Sequence, residues 1–139
     1  MADLYNDVSF KTSELVTRSY STSFSRAVSF LDSDIRDAIY SIYGFVRLAD
    51  EIVDTFHDYN KQYLLEKFEE DLRDSGKNGI SLNPVMNAFI LTVKKYRIDD
   101  ELIRAFLKSM KTDLYKSNHI SKEETDEYIY GSAEVVGLM

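Results

Sequence analysis

"RLADEIVDTF", residues 47–56, poses the question that decides the fold. Three carboxylates, Asp50, Glu51 and Asp54, stand among Leu48, Ala49, Ile52 and Val53. Carboxylates are seldom buried unless they are paired or bound to a metal. On a helix turning roughly 100° per residue, with Asp50 at zero, Asp54 falls at roughly 40°, Arg47 at roughly 60° and Tyr43 at roughly 20°. The four share one face. Ile39, Ile42, Val46 and Val53 lie on one flank, and Phe45, Leu48 and Ile52 on the far side. A helix apolar on both flanks is an interior helix. The pattern therefore predicts that the two aspartates face an internal cavity.

Outward from that helix the apolar spacing is helical nearly throughout, with no sustained alternation of period two. A first helix is predicted over residues 4–20, with Val8, Leu15 and Val16 as core residues. "YSTSFS", residues 20–25, follows as a cluster of hydroxyl groups around one Phe. The central helix starts near Asp32 or Asp34, either of which suits an N-cap, and runs through residue 56. A third covers residues 61–74, with Leu64, Leu65, Phe68 and Leu72 on its apolar stripe. "SGKNGISLNP", residues 75–84, reads as a loop, with Asn83 as cap and Pro84 as first residue of a fourth helix ending near Tyr96. A fifth begins at Asp99 or Asp100 and buries Leu102, Phe106, Leu107, Met110 and Leu114. Ser121 and Glu124 form a capping box for a sixth that is still running at Met139.

The totals agree with one all-α domain. The chain has 139 residues, one Pro and five Gly, enough for one real core but not two. With no Cys there is no disulfide framework and no thiolate metal site, which fits a reducing, cytoplasmic setting. The N-terminus lacks a signal-peptide core, and no apolar run is long enough to span a bilayer. A formal charge of −7 argues against general affinity for nucleic acid.

Two readings of the acids stand at this point. They are solvated or neutralised by Arg47, or they hold a hard cation. Like charges in a cavity raise each other's pKa unless something positive sits between them. Mg²⁺ prefers oxygen ligands and is typically held by one or two carboxylates plus substrate phosphates. Arg47, one turn before Asp50, is placed to grip a phosphate with its planar fork. A di-iron site is disfavoured. Asp54 and His57 have half of that spacing, but His119, the other histidine, has Lys116 three residues before it. No Gly-rich phosphate loop or nucleophile elbow is present.

"YSTSFS", then "AIYSIYGFVRLADEIVDTF", then "YIYGSAEVVGLM", in that order, resemble the squalene/phytoene synthase family, and bacterial phytoene synthases in particular. The resemblance covers essentially residues 1–139 and matches about the first half of the family's domain. It implies an isoprenoid synthase-like helical bundle, here incomplete, of about six helices. It also implies that Asp50 and Asp54 are the first and last acids of a motif binding Mg²⁺ and, through it, a substrate diphosphate. Glu51 stands beside them where many relatives have a second aspartate. Arg47 would contact diphosphate directly, Ser21 and Ser23 would lie at the diphosphate end of the pocket, and Phe24 and Tyr43 would line it near the reacting carbons. Tyr128 and Gly131 would belong to a helix passing along the prenyl chains, although Glu134 departs from the small residue expected there. Each has a plainer role available: caps for the serines, core packing for the aromatics, close helix approach for the glycine.

The chemistry implied is head-to-head condensation of two prenyl diphosphates in a dry apolar cavity that protects a carbocation. Geranylgeranyl diphosphate to phytoene is the first expectation, and farnesyl diphosphate to squalene or dehydrosqualene the second. A hydrophobic product implies contact with a membrane surface. The family's second aspartate-rich motif does not occur in residues 1–139, so the chain is expected to be a fragment, inactive alone, that self-associates through apolar surface its missing half would cover. Two other classes stand beside the enzyme: an inactive half-domain acting as a helical interaction module, and a generic adaptor whose acids are surface charge.

Overall fold

The computed structural model describes residues 3–115, all six of its elements being α-helices: α1 (Asp3–Tyr20), α2 (Thr22–Val28), α3 (Ser33–Asp54), α4 (Lys61–Asn78), α5 (Pro84–Tyr96) and α6 (Asp100–Tyr115). The capping box at Ser121 and Glu124, and Tyr128 and Gly131, lie outside the described residues.

The core forms where α3 meets α4, α5 and α6. Phe45 of α3 stacks on Phe89 of α5 with centroids 3.7 Å apart. It also meets Phe68 of α4 at 5.0 Å and Phe106 of α6 at 5.6 Å. Ile42, Ala49, Ile52, Val53, Leu65, Met86, Leu107 and Met110 complete this cluster, with Leu48, Leu64, Leu72 and Leu114 packed against it. The apolar stripes read from the sequence on α3 and α4 are the faces that meet; on α6 the reading holds for Phe106, Leu107, Met110 and Leu114, but Ile103 takes the core place expected of Leu102, which is half-buried outside the cluster.

The first helix packs differently from its expected pattern. Val8 and Leu15 are exposed, Leu15 at 64%, and Val16 is half-buried. The buried face of α1 is instead Ser9, Ser13 and Thr17, one turn apart. Each hydroxyl donates to the carbonyl four residues back, at 2.8, 3.2 and 2.8 Å, so burial leaves no donor unpaired. Small side chains are needed because α1 lies close against α3. A Cβ on Gly44 would stand 3.3 Å from the Ser13 Cβ and 3.4 Å from Val85 Cγ1. Between α3 and α5, the Ser41 and Thr92 hydroxyls are 2.6 Å apart and fully buried.

Two boundaries shift for identifiable reasons. "YSTSFS" is not a link: Ser21 caps α2, its Oγ accepting from Phe24 N at 3.3 Å. And α4 continues past Asp74 through Gly76 to Asn78. Ser75 faces inward there and donates to Asp71 Oδ1 at 3.1 Å. The stop is Gly79 at φ 78°, a left-handed cap that glycine adopts without strain. Asn83 and Pro84 open α5 as read, Asn83 Oδ1 accepting from Val85 N at 3.0 Å.

A polar tie that the sequence did not announce fixes the α4–α5 loop. Asn87, fully buried, donates to Asn6 Oδ1 and Ser9 Oγ, each at 3.0 Å. Its Oδ1 accepts from Ser81 N at 3.3 Å. Ser81 Oγ donates to both Asp71 oxygens at 3.1 Å, and Tyr5 donates to the Ser81 carbonyl. Three helices thus hold one loop residue.

Two substitutions test this packing. Phe45→Ala removes the ring shared by four helices and should cost about 3–5 kcal/mol in urea unfolding. Gly44→Val forces α1 away from α3 and should cost about 1–3 kcal/mol. Unchanged midpoints in either case would show that these contacts do not set stability.

Candidate diphosphate and metal site

The last two turns of α3 carry the acids, and Arg47 organises them. Its Nη1 donates to Asp50 Oδ2 at 2.8 Å, and its Nη2 donates to Glu51 Oε1. These i, i+3 and i, i+4 spacings bring the groups together on one helix. The carboxylate side chains are shielded, Asp50 being 16% exposed. The guanidinium lies 4.4 Å from the centre of the Tyr20 ring at the end of α1, a cation–π contact. Next to it Phe24 of α2 stacks on Tyr43 of α3, centroids 5.2 Å apart. Three helices therefore build one wall with Arg47, Asp50 and Tyr43 on it.

The electrostatics are unbalanced. Burial, then the hydrogen bond and charge of neighbouring Asp54, push the Asp50 carboxyl up to about 7, against the pull of Arg47 and with Glu51 adding to the rise. One guanidinium shared by Asp50 and Glu51 does not neutralise three acids. Burial pulls the Arg47 pKa down, but Glu51 and Asp50 raise it more, so it stays cationic. Burial raises the Tyr43 phenol too, Arg47 opposing, so it stays protonated. The Arg47 Nε is buried with no hydrogen-bond partner among the described residues.

The sequence-predicted residues separate into groups. Arg47, Asp50, Glu51, Phe24 and Tyr43 come together. Asp54 is beside Asp50 but exposed, because it is the last residue of α3; the expectation that both aspartates face an internal cavity is corrected to one shielded and one open acid. Ser21 is occupied as a helix cap, and Ser23 is exposed on α2. Tyr20 was missed as a site residue, although it opens the quoted "YSTSFS". Its signal was the spacing that puts an aromatic at the end of α1, directly before the turn into α2.

Magnesium is the cation that the family resemblance implies. The donors fit it: two adjacent carboxylates, all oxygen, with burial and Asp54 raising the Asp50 carboxyl. Among the described residues no group of three or more acidic, His or Cys side chains converges on one point. Any cation here therefore takes its remaining ligands from elsewhere, as magnesium does from phosphate and water.

Comparison with known proteins decides the family. The squalene/phytoene synthase family model matches residues 17–139. The chain belongs to the squalene/phytoene synthase family. It is 30% identical over 125 residues to phytoene synthase 1 of Solanum lycopersicum, covering 89% of this chain and 30% of that protein. It is 27% identical over 132 residues to the phytoene synthase of Arthrospira platensis, covering 94% of this chain and 42% of that one. Among solved structures, a dehydrosqualene synthase matches with a TM-score of 0.76 and 26% identity over 99% of this chain and 47% of that one. The squalene synthase of Alicyclobacillus acidocaldarius matches with 0.74 and 24%, over 96% and 50%. The fold is thus the all-α isoprenoid synthase type, and the chain spans half or less of the length of these relatives.

The raised Asp50 pKa has a signed consequence. Between the ordinary carboxylate range and about 7, the folded state binds more protons at Asp50 than the unfolded state does. Stability contributed by this group is therefore lost as pH rises through that window. Asp50→Asn should flatten the fall in stability between pH 4 and 7 and be more stable than the wild type at the upper end. Thermal melts across that range, with a carbon-detected carboxyl titration of Asp50, read both; a titration midpoint near 4 would overturn the assignment.

Proposed function

We propose that this chain forms the first-motif half of a prenyltransferase that joins two geranylgeranyl diphosphates head-to-head to give phytoene. The carrying observation is the α3 cluster: Arg47, with a buried, unpartnered Nε, beside the shielded Asp50 and neighbouring Asp54. The phytoene synthase relatives support this substrate. The neighbours described as squalene and dehydrosqualene synthases support a second reading, farnesyl diphosphate as substrate.

In the proposed reaction the allylic C–O bond of one substrate breaks and its electron pair leaves on the diphosphate. The double bond of the second substrate attacks the resulting carbocation, and proton loss closes a cyclopropane; its own C–O bond then breaks, the second diphosphate leaves, the cation rearranges, and loss of a second proton gives the neutral hydrocarbon. Arg47 holds the departing diphosphate through Nε and its η nitrogens, in a geometry already braced by Glu51 and Tyr20. Asp50 and Asp54 would hold Mg²⁺, which when bound supplies Lewis-acid stabilisation of the leaving group. The stacked Phe24 and Tyr43 rings supply a cation-tolerant surface without a nucleophile, since the Tyr43 phenol keeps its proton. The remaining ligands and the far wall of the cavity belong to parts of the domain beyond this motif.

Calorimetric titration with a non-ionising thiodiphosphate analogue of geranylgeranyl diphosphate tests the reading. Binding should require Mg²⁺ and disappear with EDTA. Asp50→Asn and Asp54→Asn should remove the Mg²⁺ dependence. Arg47→Gln should weaken binding about 10–100-fold, the worth of losing a charge-assisted hydrogen bond. In a chain extended to the length of its relatives, the same aspartate substitutions should abolish product formation with the fold intact. Magnesium-independent binding, or near-normal turnover by either variant, would refute it.

A further inference from the structure

The opposite end of α4 from the acids presents a different chemistry. α4 starts against the carboxyl end of α3, where Lys61 Nζ donates to the Val53 carbonyl at 2.6 Å. It then runs 18 residues, so its far end lies about 27 Å away. There the 79–83 loop is pinned at Ser81, which is buried and held by Asp71, Asn87 and Tyr5. With Ser81 turned inward, Ile80 and Leu82 on either side turn outward, at 47% and 98% exposure. A loop tip is ordinarily polar. This one holds two branched apolar side chains out on a rigid base.

Beside the loop, a groove of about 570 Å³ opens between α4, α5 and α6. Leu72, Ile90 and Leu107 contribute apolar lining, and Arg73, Lys77 and Lys94 are exposed at its edge. None of the three cations has an ion pair among the described residues. The acids lining the groove are engaged: Glu69 with Lys111 at 2.7 Å and Asp100 with Arg104 at 2.7 Å. Lys94 Nζ lies 3.8 Å from the position of a Gly79 Cβ, which joins groove and loop. In a chain of net charge −7, a surface with three cations outside ion pairs among the described residues, an apolar slot and a projecting Leu is complementary to one environment above others.

We propose that this end of the molecule docks on an anionic lipid bilayer, with Ile80 and Leu82 inserted at the acyl boundary and the groove taking an acidic phospholipid. The lipid phosphate meets Arg73, Lys77 and Lys94, and an acyl chain lies along the apolar lining. Among the described residues no helix is long and apolar enough to cross a membrane, so contact is peripheral. Two weak signals together, charge and insertion, are what stable surface binding requires.

The test is co-sedimentation with vesicles of phosphatidylcholine alone and of phosphatidylcholine mixed with phosphatidylglycerol, at low and high salt. Binding is expected only to the mixed vesicles and should fall with salt. Lys77→Gln/Lys94→Gln should weaken partitioning about fivefold per removed cation, whereas Lys11→Gln/Arg26→Gln should leave it unchanged. Leu82→Ser should weaken it about tenfold. All these positions are on the surface, and unchanged circular dichroism melts will show that the variants fold. Asp50→Asn should bind vesicles like the wild type, which separates this site from the proposed diphosphate site. Three results would overturn the proposal: no binding to phosphatidylglycerol vesicles, equal loss in the Lys11/Arg26 control, or light scattering in which Leu82→Ser turns a dimer into a monomer without altering lipid binding.

Discussion

The structure depends on how much of α3 can be buried at once. Phe45 points at three other helices and Gly44, one residue earlier, admits a fourth. Helical geometry then leaves one strip of α3 for everything that is not apolar. Arg47, Asp50 and Tyr43 occupy that strip because their spacing returns them to the same angle. The position of the charged site is thus a consequence of core packing, and moving it would require a different core.

That strip ends at the carboxyl terminus of a helix, which is the wrong end for acids. The helix macrodipole puts partial negative charge there, and the last turn of α3 carries no basic residue. Asp50, Glu51 and Asp54 therefore repel both each other and the helix end, with Arg47 as the cation paired to two of them. Local conflict of this kind runs against a sequence selected only to fold. The proposed binding of Mg²⁺ would draw on this conflict, because a cation between the acids relieves their mutual repulsion.

The central helix, its two apolar flanks and the Arg47–Asp50 pairing were legible because angular spacing and hydropathy agree there. The first helix was not. Val8 and Leu15 form an apolar stripe on paper, yet Ser9, Ser13 and Thr17 are buried. Hydropathy ranks serine as polar and does not count the carbonyl, four residues back, that satisfies it. Nor does it register Gly44, the reason that only small side chains fit. The Asn87 network was illegible for a related cause: its partners, Asn6, Ser9 and Ser81, are distant in sequence, and no local pattern links them. In the candidate site the same limit hid Tyr20, whose contact with Arg47 depends on where α1 ends. Asp54 was over-read, because angle alone does not say that a helix stops at that residue.

The apolar residues left outside are informative in the light of that failure. Leu15 and Val8 face outward on α1 because its close approach to α3 admits only the small side chains of Ser9, Ser13 and Thr17. Leu82 is the sharper case, since a residue flanked by an anchored Ser81 and a capping Asn83 has little freedom to fold back. An apolar side chain kept out of water by nothing, on a backbone that three helices hold still, costs solubility without adding stability. In the proposed docking, Ile80 and Leu82 are the side chains that the bilayer covers. Close to their loop, Lys94 beside Gly79 and the apolar groove supply the charge and the apolar surface that the proposed bilayer contact uses.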